Sequence, residues 1–271
     1  MHSFLIALAF LSVTPIRFRA LPADEAVARS RYWYAAVGLL LGALLAGWTW
    51  AAGHLAPPGI AAFLVLLAWV GVTGALHLDG FCDLCDGLCG GWTPEDRLRI
   101  MKDPQRGSFA IAGCVLLLLG KYVALVQLLQ LSHFPLAAPW AVGVAVLAAR
   151  CLVLTLAAEA RYPRPEGTGK LLIEATRSPE AVAFALLAWG AMILSPRAPL
   201  ETEPHLAVWL QRFAALDAFY RATLWFVLIW LLLLLLRKQC ERRLGGITGD
   251  CLGAGIELVE LVFLLSVAVS L

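Results

Sequence analysis

The chain has 271 residues, 61% of them hydrophobic and 15% charged, with a formal net charge of +2 and a mean hydropathy of +0.81. A soluble domain carries about 25% charged and 45–50% apolar residues, so this composition excludes a soluble globular protein and points to a polytopic membrane protein surrounded by lipid. The net charge by itself says nothing about nucleic acid, and with no basic stripe interleaved with aromatics no nucleic-acid partner is expected.

In chain order, apolar segments fall at 3–15, 34–52, 60–76, 108–131, 139–158, 181–194, 222–236 and 251–271. The first lacks a basic n-region and a small-residue cleavage site, so no signal peptide is expected. It is also short for a hydrocarbon core of about 30 Å. Breakers separate the segments: Pro57-Pro58, Pro135, Pro163 with Pro165, Pro179, Pro196 and Gly245-Gly246. The expected fold is all-α, one membrane domain over 1–271, a polytopic transmembrane bundle of seven to eight helices without internal repeat.

Each of the polar stretches 17–33, 79–107, 159–180 and 237–250 holds four Lys or Arg, sixteen in all. The intervening stretches hold three, Arg197, Arg212 and Arg221. Cytoplasmic loops collect cations, so the sixteen are expected on the cytoplasmic side.

The most informative stretch is His77-Leu-Asp-Gly-Phe-Cys-Asp-Leu-Cys-Asp-Gly87. On a helix, Asp79, Asp83 and Asp86 at i, i+4 and i+7 lie within about 60° of one another. Three acids on one face beside an apolar helix repel and resist desolvation. A divalent cation among them resolves the conflict. Oxygen-only ligation favours Mg2+, which completes its shell with waters and substrate phosphates. The competing reading is a solvated helix end. Cys82, Cys85 and Cys89 with His77 suggest zinc instead, but the cysteine face lies roughly 90° from the aspartate face. Packing is the simpler role for these small side chains.

Lys121 and Arg150 interrupt apolar segments, where a cation costs about 2.5–3.5 kcal/mol and normally has a partner. Glu257 and Glu260 are the acids at similar depth. Two roles stay open: a buried pair that fixes helix packing, or a cavity where the cations meet substrate phosphate, Arg by a bidentate contact. The stretch Arg97-Leu-Arg-Ile-Met-Lys-Asp-Pro-Gln-Arg-Gly107 puts Lys102, Asp103 and Arg106 before a helix start, and Gly245-Gly-Ile-Thr-Gly-Asp250 does the same for Asp250. Helix-start amides attract anions. Asp250 and Glu257, seven apart, share a face.

His77-Leu-Asp-Gly with Asp83 and Asp86-Gly, Ile100-Met-Lys-Asp103, Glu166-Gly-Thr-Gly169 and Gly245-Gly-Ile-Thr-Gly-Asp-Cys-Leu-Gly-Ala-Gly-Ile-Glu257 together closely resemble the cobalamin synthase family, the adenosylcobinamide-GDP ribazoletransferases. Thr14-Pro-Ile-Arg17 and Gly38-Leu-Leu-Leu-Gly42 extend the resemblance over nearly the whole chain. The chain departs from the family pattern at Cys82, Cys85 and Cys89, where Ala or Thr is common, and at Arg99 and Pro104-Gln105.

The resemblance implies a multi-pass transferase of the bacterial inner membrane, with catalytic loops in the cytoplasm. Adenosylcobinamide-GDP would donate its cobinamide phosphate to α-ribazole or α-ribazole 5′-phosphate, and GMP would leave. Mg2+ on Asp79, Asp83 and Asp86 suits the pyrophosphate. Asp86 and Asp103 are the candidate general bases. Candidate substrate contacts are His77, Lys102, Arg106, Lys121, Arg150, Asp250 and Glu257. A CDP-alcohol phosphotransferase lacks support, because its D-G-x2-A-R spacing is absent after Asp79-Gly80. An ion-coupled transporter would carry its ionisable residues near the bilayer midplane, whereas these acids cluster at segment ends. Homo-oligomerisation is left open.

Overall fold

In hydrocarbon, each unpaired backbone amide costs several kcal/mol, so a chain this apolar satisfies its amides inside helices. The computed structural model describes residues 2–16, 18, 22–131, 135–194 and 218–270, and no strand occurs among them. Arg17, Arg19, Arg197 and Arg212 of the charge count, with Pro196, lie outside the described residues.

The elements are α1 (His2–Leu11), α2 (Asp24–Ala28) and a 3-10 turn (Arg29–Trp33) that runs into α3 (Tyr34–Leu55). Then follow α4 (Pro58–Thr73), α5 (Leu76–Gly90), α6 (Pro94–Ile100), α7 (Ser108–Leu129), α8 (Ala137–Leu152) and α9 (Leu154–Ala157). Last come α10 (Lys170–Ala175), α11 (Ser178–Ile193), α12 (Ala218–Leu244) and α13 (Gly249–Ser270). Among the described residues, five stretches are long and apolar enough to cross a membrane: Asp24–Leu55, Ser108–Leu129, Ala137–Ala157, Phe219–Leu244 and Gly249–Ser270. The bent pair α4 and α5 is a broken span or a re-entrant loop, a sixth crossing if it counts as one span, and α1 and α11 are shorter apolar helices. This agrees with the expected bundle.

Two helices form its centre. In their apolar windows 78% of Ala137–Ala157 and 61% of Gly249–Ser270 is buried, against 28–39% in the other three long spans. The outer helices turn Leu39, Leu44, Phe63, Leu116, Leu231 and Leu235 outward, as hydrocarbon solvent permits.

The break between α4 and α5 positions the acidic motif. The sequence places Asp79 just past one apolar run over 60–76. The chain instead turns through Gly74 (φ 60°) and Ala75 (φ 56°), both left-handed, and α5 leaves at 88° to α4. Ala75 carries a Cβ in a region that disfavours one, so packing holds this corner. Two glycines then bring α5 onto α13. A Cβ on Gly80 would sit 3.0 Å from Asp250 Cα, and one on Gly253 would sit 3.1 Å from the His77 carbonyl oxygen. Small residues permit this backbone contact between membrane helices.

Contacts between the four basic stretches place them at one end of the bundle. Arg31 pairs with Glu180 at 2.7 Å, Arg97 Nη1 donates to the Arg243 carbonyl at 3.4 Å, and the Ile247 amide donates to the Arg161 carbonyl at 2.9 Å. Beyond the apolar segment 222–236, α12 continues to Leu244. There Arg237 Nη1 donates to the Ala158 carbonyl at 2.7 Å.

Candidate active site

The site lies at this basic end, on α5. Helical spacing puts Asp79 and Asp83 one turn apart on one face. Arg106, from the loop between α6 and α7, pairs with both carboxylates, its Nη2 to Asp79 and its Nη1 to Asp83. The three side chains grade from outside to inside: Asp79 is 55% exposed, Arg106 37% and Asp83 13%.

Asp86, one turn further along α5, has different partners. Its Oδ2 accepts the Gly107 amide at 2.6 Å and its Oδ1 accepts the Ala110 amide at 2.9 Å. It therefore caps α7 from another helix, satisfying amides that a helix start leaves open. Gly107 leaves room for it, since a Cβ there would meet Asp86 Oδ1 at 2.6 Å. Asp103 is exposed and accepts the Gln105 amide at 2.9 Å. Asp86 and Asp103 line one cleft with Ile100, Ser108 and Phe109. Lys102 is exposed on the same loop.

On the facing side, Asp250 enters α13 paired with Arg164 Nη1 at 3.1 Å and with the Thr248 hydroxyl at 3.3 Å. The loop 160–169 is shaped around Tyr162, whose hydroxyl occupies the space a side chain on Gly167 would need. Burial pushes the Tyr162 phenol above its ordinary value, so it stays neutral. Behind α5, Lys121 Nζ pairs with Glu257 at 2.6 Å and Glu260 at 2.5 Å. Arg150 Nη1 pairs with Glu260. All four side chains are at most 7% exposed. Of the two sequence readings, the buried pair is the arrangement present. His77 is 4% exposed, and neither ring nitrogen has a hydrogen-bond partner.

A profile for the family described as cobalamin-5-phosphate synthase matches residues 3–268. The chain belongs to this family. The adenosylcobinamide-GDP ribazoletransferase of Ectopseudomonas mendocina is 36% identical, over 98% of this chain and 98% of its own. That of Stutzerimonas stutzeri is 38% identical over 99% and 98%, and that of Shewanella frigidimarina 34% identical over 100% and 96%. No solved structure matches. As a cobalamin-5-phosphate synthase family member, the chain serves cobalamin synthesis.

The donor set can be tested against a divalent cation. Among the described residues, no group of three or more His, Cys, Asp or Glu side chains is placed to hold a metal. The expected triad therefore divides: Asp86 turns to the amides of α7, while Asp79 and Asp83 converge on a shared cation, the Arg106 guanidinium. Two carboxylates already gathered around positive charge fit Mg2+, which is usually bound by one or two carboxylates together with substrate phosphates. The cysteines pack. Cys82 Sγ approaches the Ala110 carbonyl at 3.8 Å, and Cys85 Sγ lies over Gly113.

In the sequence Arg164 stands out only as one of the cytoplasmic cations, although in the fold it anchors Asp250. Its position two residues before Glu166-Gly-Thr-Gly169 was the available signal.

Proposed function

We propose that the chain transfers adenosylcobinamide phosphate from adenosylcobinamide-GDP to the ribose 3′-hydroxyl of α-ribazole or α-ribazole 5′-phosphate. The hydroxyl oxygen forms a bond to the cobinamide-side phosphorus, the bond from that phosphorus to the bridging oxygen breaks, and GMP leaves with the bridging oxygen. The hydroxyl proton passes to a carboxylate. Of the two candidates, Asp86 already accepts two amides, whereas Asp103 accepts one and is exposed in the same cleft.

The observation that carries this reading is the Asp79–Arg106–Asp83 bridge at the basic end of a membrane bundle. Bound Mg2+ on Asp79 and Asp83 would neutralise the pyrophosphate and the leaving group. Phosphate arriving there competes with the carboxylates for Arg106, which then shares the charge that develops on the donor. Lys102 adds a mobile cation on the same loop. Lys121, Arg150 and Glu257, engaged in their own network, hold α7 and α8 to α13 and so keep α5 in place. The product test is mass spectrometry of purified protein incubated with adenosylcobinamide-GDP and either acceptor. Product joined through a single phosphate, with GMP, is expected; GDP as the leaving group would overturn the bond assignment.

The membrane is the bacterial inner membrane, and the site faces the cytoplasm. The family resemblance suggests the membrane, and the orientation rests on the count of sixteen Lys and Arg against three. Single cysteines at Lys102 and Gly245, in a variant without other cysteines, should resist an impermeant maleimide on intact cells and react in inverted vesicles. Labelling from outside intact cells would reverse the orientation.

A further inference from the structure

A cavity of about 170 Å3 opens between α1, α5, α10 and α13. Leu11, Tyr34, Leu172 and Ile256 contribute to a mostly apolar wall. His77 also lines it, and both of its buried ring nitrogens lack a partner. Such an orphan is costly, about 1–3 kcal/mol in a protein interior, and a ligand can relieve it. Asp79 and Asp250 line the same cavity. Asp79 is also one of the carboxylates that meet Arg106, so the cavity adjoins the proposed phosphate site through a shared residue.

We infer that this cavity receives the aromatic base of the acceptor nucleoside. The inference rests on the transfer reaction proposed above and adds where the acceptor sits and what selects it. Size excludes a corrinoid ring, because an apolar cavity of about 150 Å3 takes a ligand on the scale of an aromatic ring, and a bicyclic base fits here only with its ribose-bearing edge at the mouth. Chemistry separates the two bases present in the reaction. Guanine brings several donors and acceptors, each needing a partner on burial. A benzimidazole-type base brings an apolar body and one unprotonated ring nitrogen. A turn of the His77 ring, whose nitrogens are enclosed by protein, supplies one N–H donor for that nitrogen, while the aliphatic and aromatic wall takes the carbocycle. The ribose then lies at the mouth beside Asp79, with its hydroxyl turned toward the phosphate site.

Three measurements decide the matter on the full-length protein in detergent. Filling the cavity with Ile256→Phe should raise KM for α-ribazole on the order of 10-fold and leave KM for adenosylcobinamide-GDP unchanged. His77→Phe should collapse the preference for α-ribazole over the matching indole riboside, which lacks the ring nitrogen, from about 10–100-fold to near unity; a merely structural role would lower both equally. Thr168→Cys, at an exposed position lining the cavity, should be protected from maleimide by α-ribazole and not by GMP, as read by mass spectrometry at residue 168. This last measurement needs neither core variant to fold. Protection by GMP alone, or no protection by α-ribazole at saturation, would overturn the inference. So would an Ile256→Phe protein with parental KM for α-ribazole. Failure of the parent to transfer to α-ribazole would instead count against the proposed reaction, since protection at residue 168 is scored without turnover.

Discussion

Asp83→Asn lowers the transfer rate by about 10²–10⁴, equivalent to roughly 3–5 kcal/mol of lost transition-state stabilisation, and leaves the protein folded. Asp83 is the less exposed of the two carboxylates that meet Arg106, at 13% against 55% for Asp79. Its charge is therefore the less screened of the two, and its loss weakens any cation at that position the most. Asn keeps the shape but not the charge. Apparent Mg2+ affinity falls alongside the rate, and added Mg2+ restores part of it. Stability should change little, because Arg106 is 37% exposed and keeps its pair with Asp79, and loss of one pair at such a site costs about 0–1 kcal/mol. GMP release across a Mg2+ titration, beside a thermal melt in detergent, checks both parts. Parental activity at low Mg2+ in a folded Asp83→Asn protein would remove Asp83 from the site.

Glu260→Gln has the opposite signature. Glu260 accepts both Lys121 and Arg150, with side-chain exposures of 1%, 3% and 0% for the three residues. Deleting its charge leaves two buried cations sharing Glu257 alone, and an uncompensated buried charge costs about 3–5 kcal/mol. The melting temperature is expected to fall by about 10 °C. Glu260→Met combined with Arg150→Met removes a balanced pair and should recover most of that loss, since apolar replacement of a buried pair is often neutral or better. The double variant also separates packing from substrate contact. If Arg150 only holds α8 to α13, the refolded double variant keeps KM for adenosylcobinamide-GDP within about two-fold. A large rise in that KM would return Arg150 to the phosphate site.

These two sites differ in how far the sequence discloses them. Rarity makes the membrane network legible: two cations and two acids in apolar segments have few partners to choose from, and Glu257 and Glu260, three apart, share a helix face. The choice of Glu260 to bridge both cations depends on how α7 and α8 pack against α13, which no periodicity encodes. The aspartate face of α5 follows from spacing alone. Its division does not, because Asp86 is claimed by the start of α7 and that helix arrives from twenty residues away. The corner at Gly74 and Ala75 is equally hidden: Gly74 announces a turn, but nothing in the alanine announces a left-handed residue. His77 reads as one more polar residue in a motif until the fold buries it beside a cavity.

The most direct test of the proposed phosphoryl-transfer site measures GMP release from adenosylcobinamide-GDP by the purified protein, with and without α-ribazole, in Mg2+ and after chelation with EDTA. One GMP per cobinamide phosphate transferred is expected, with release that requires α-ribazole, loss of turnover in EDTA and recovery on adding Mg2+ back. Full turnover in EDTA would contradict a divalent cation on Asp79 and Asp83, and GMP release independent of α-ribazole would contradict transfer to a nucleoside acceptor.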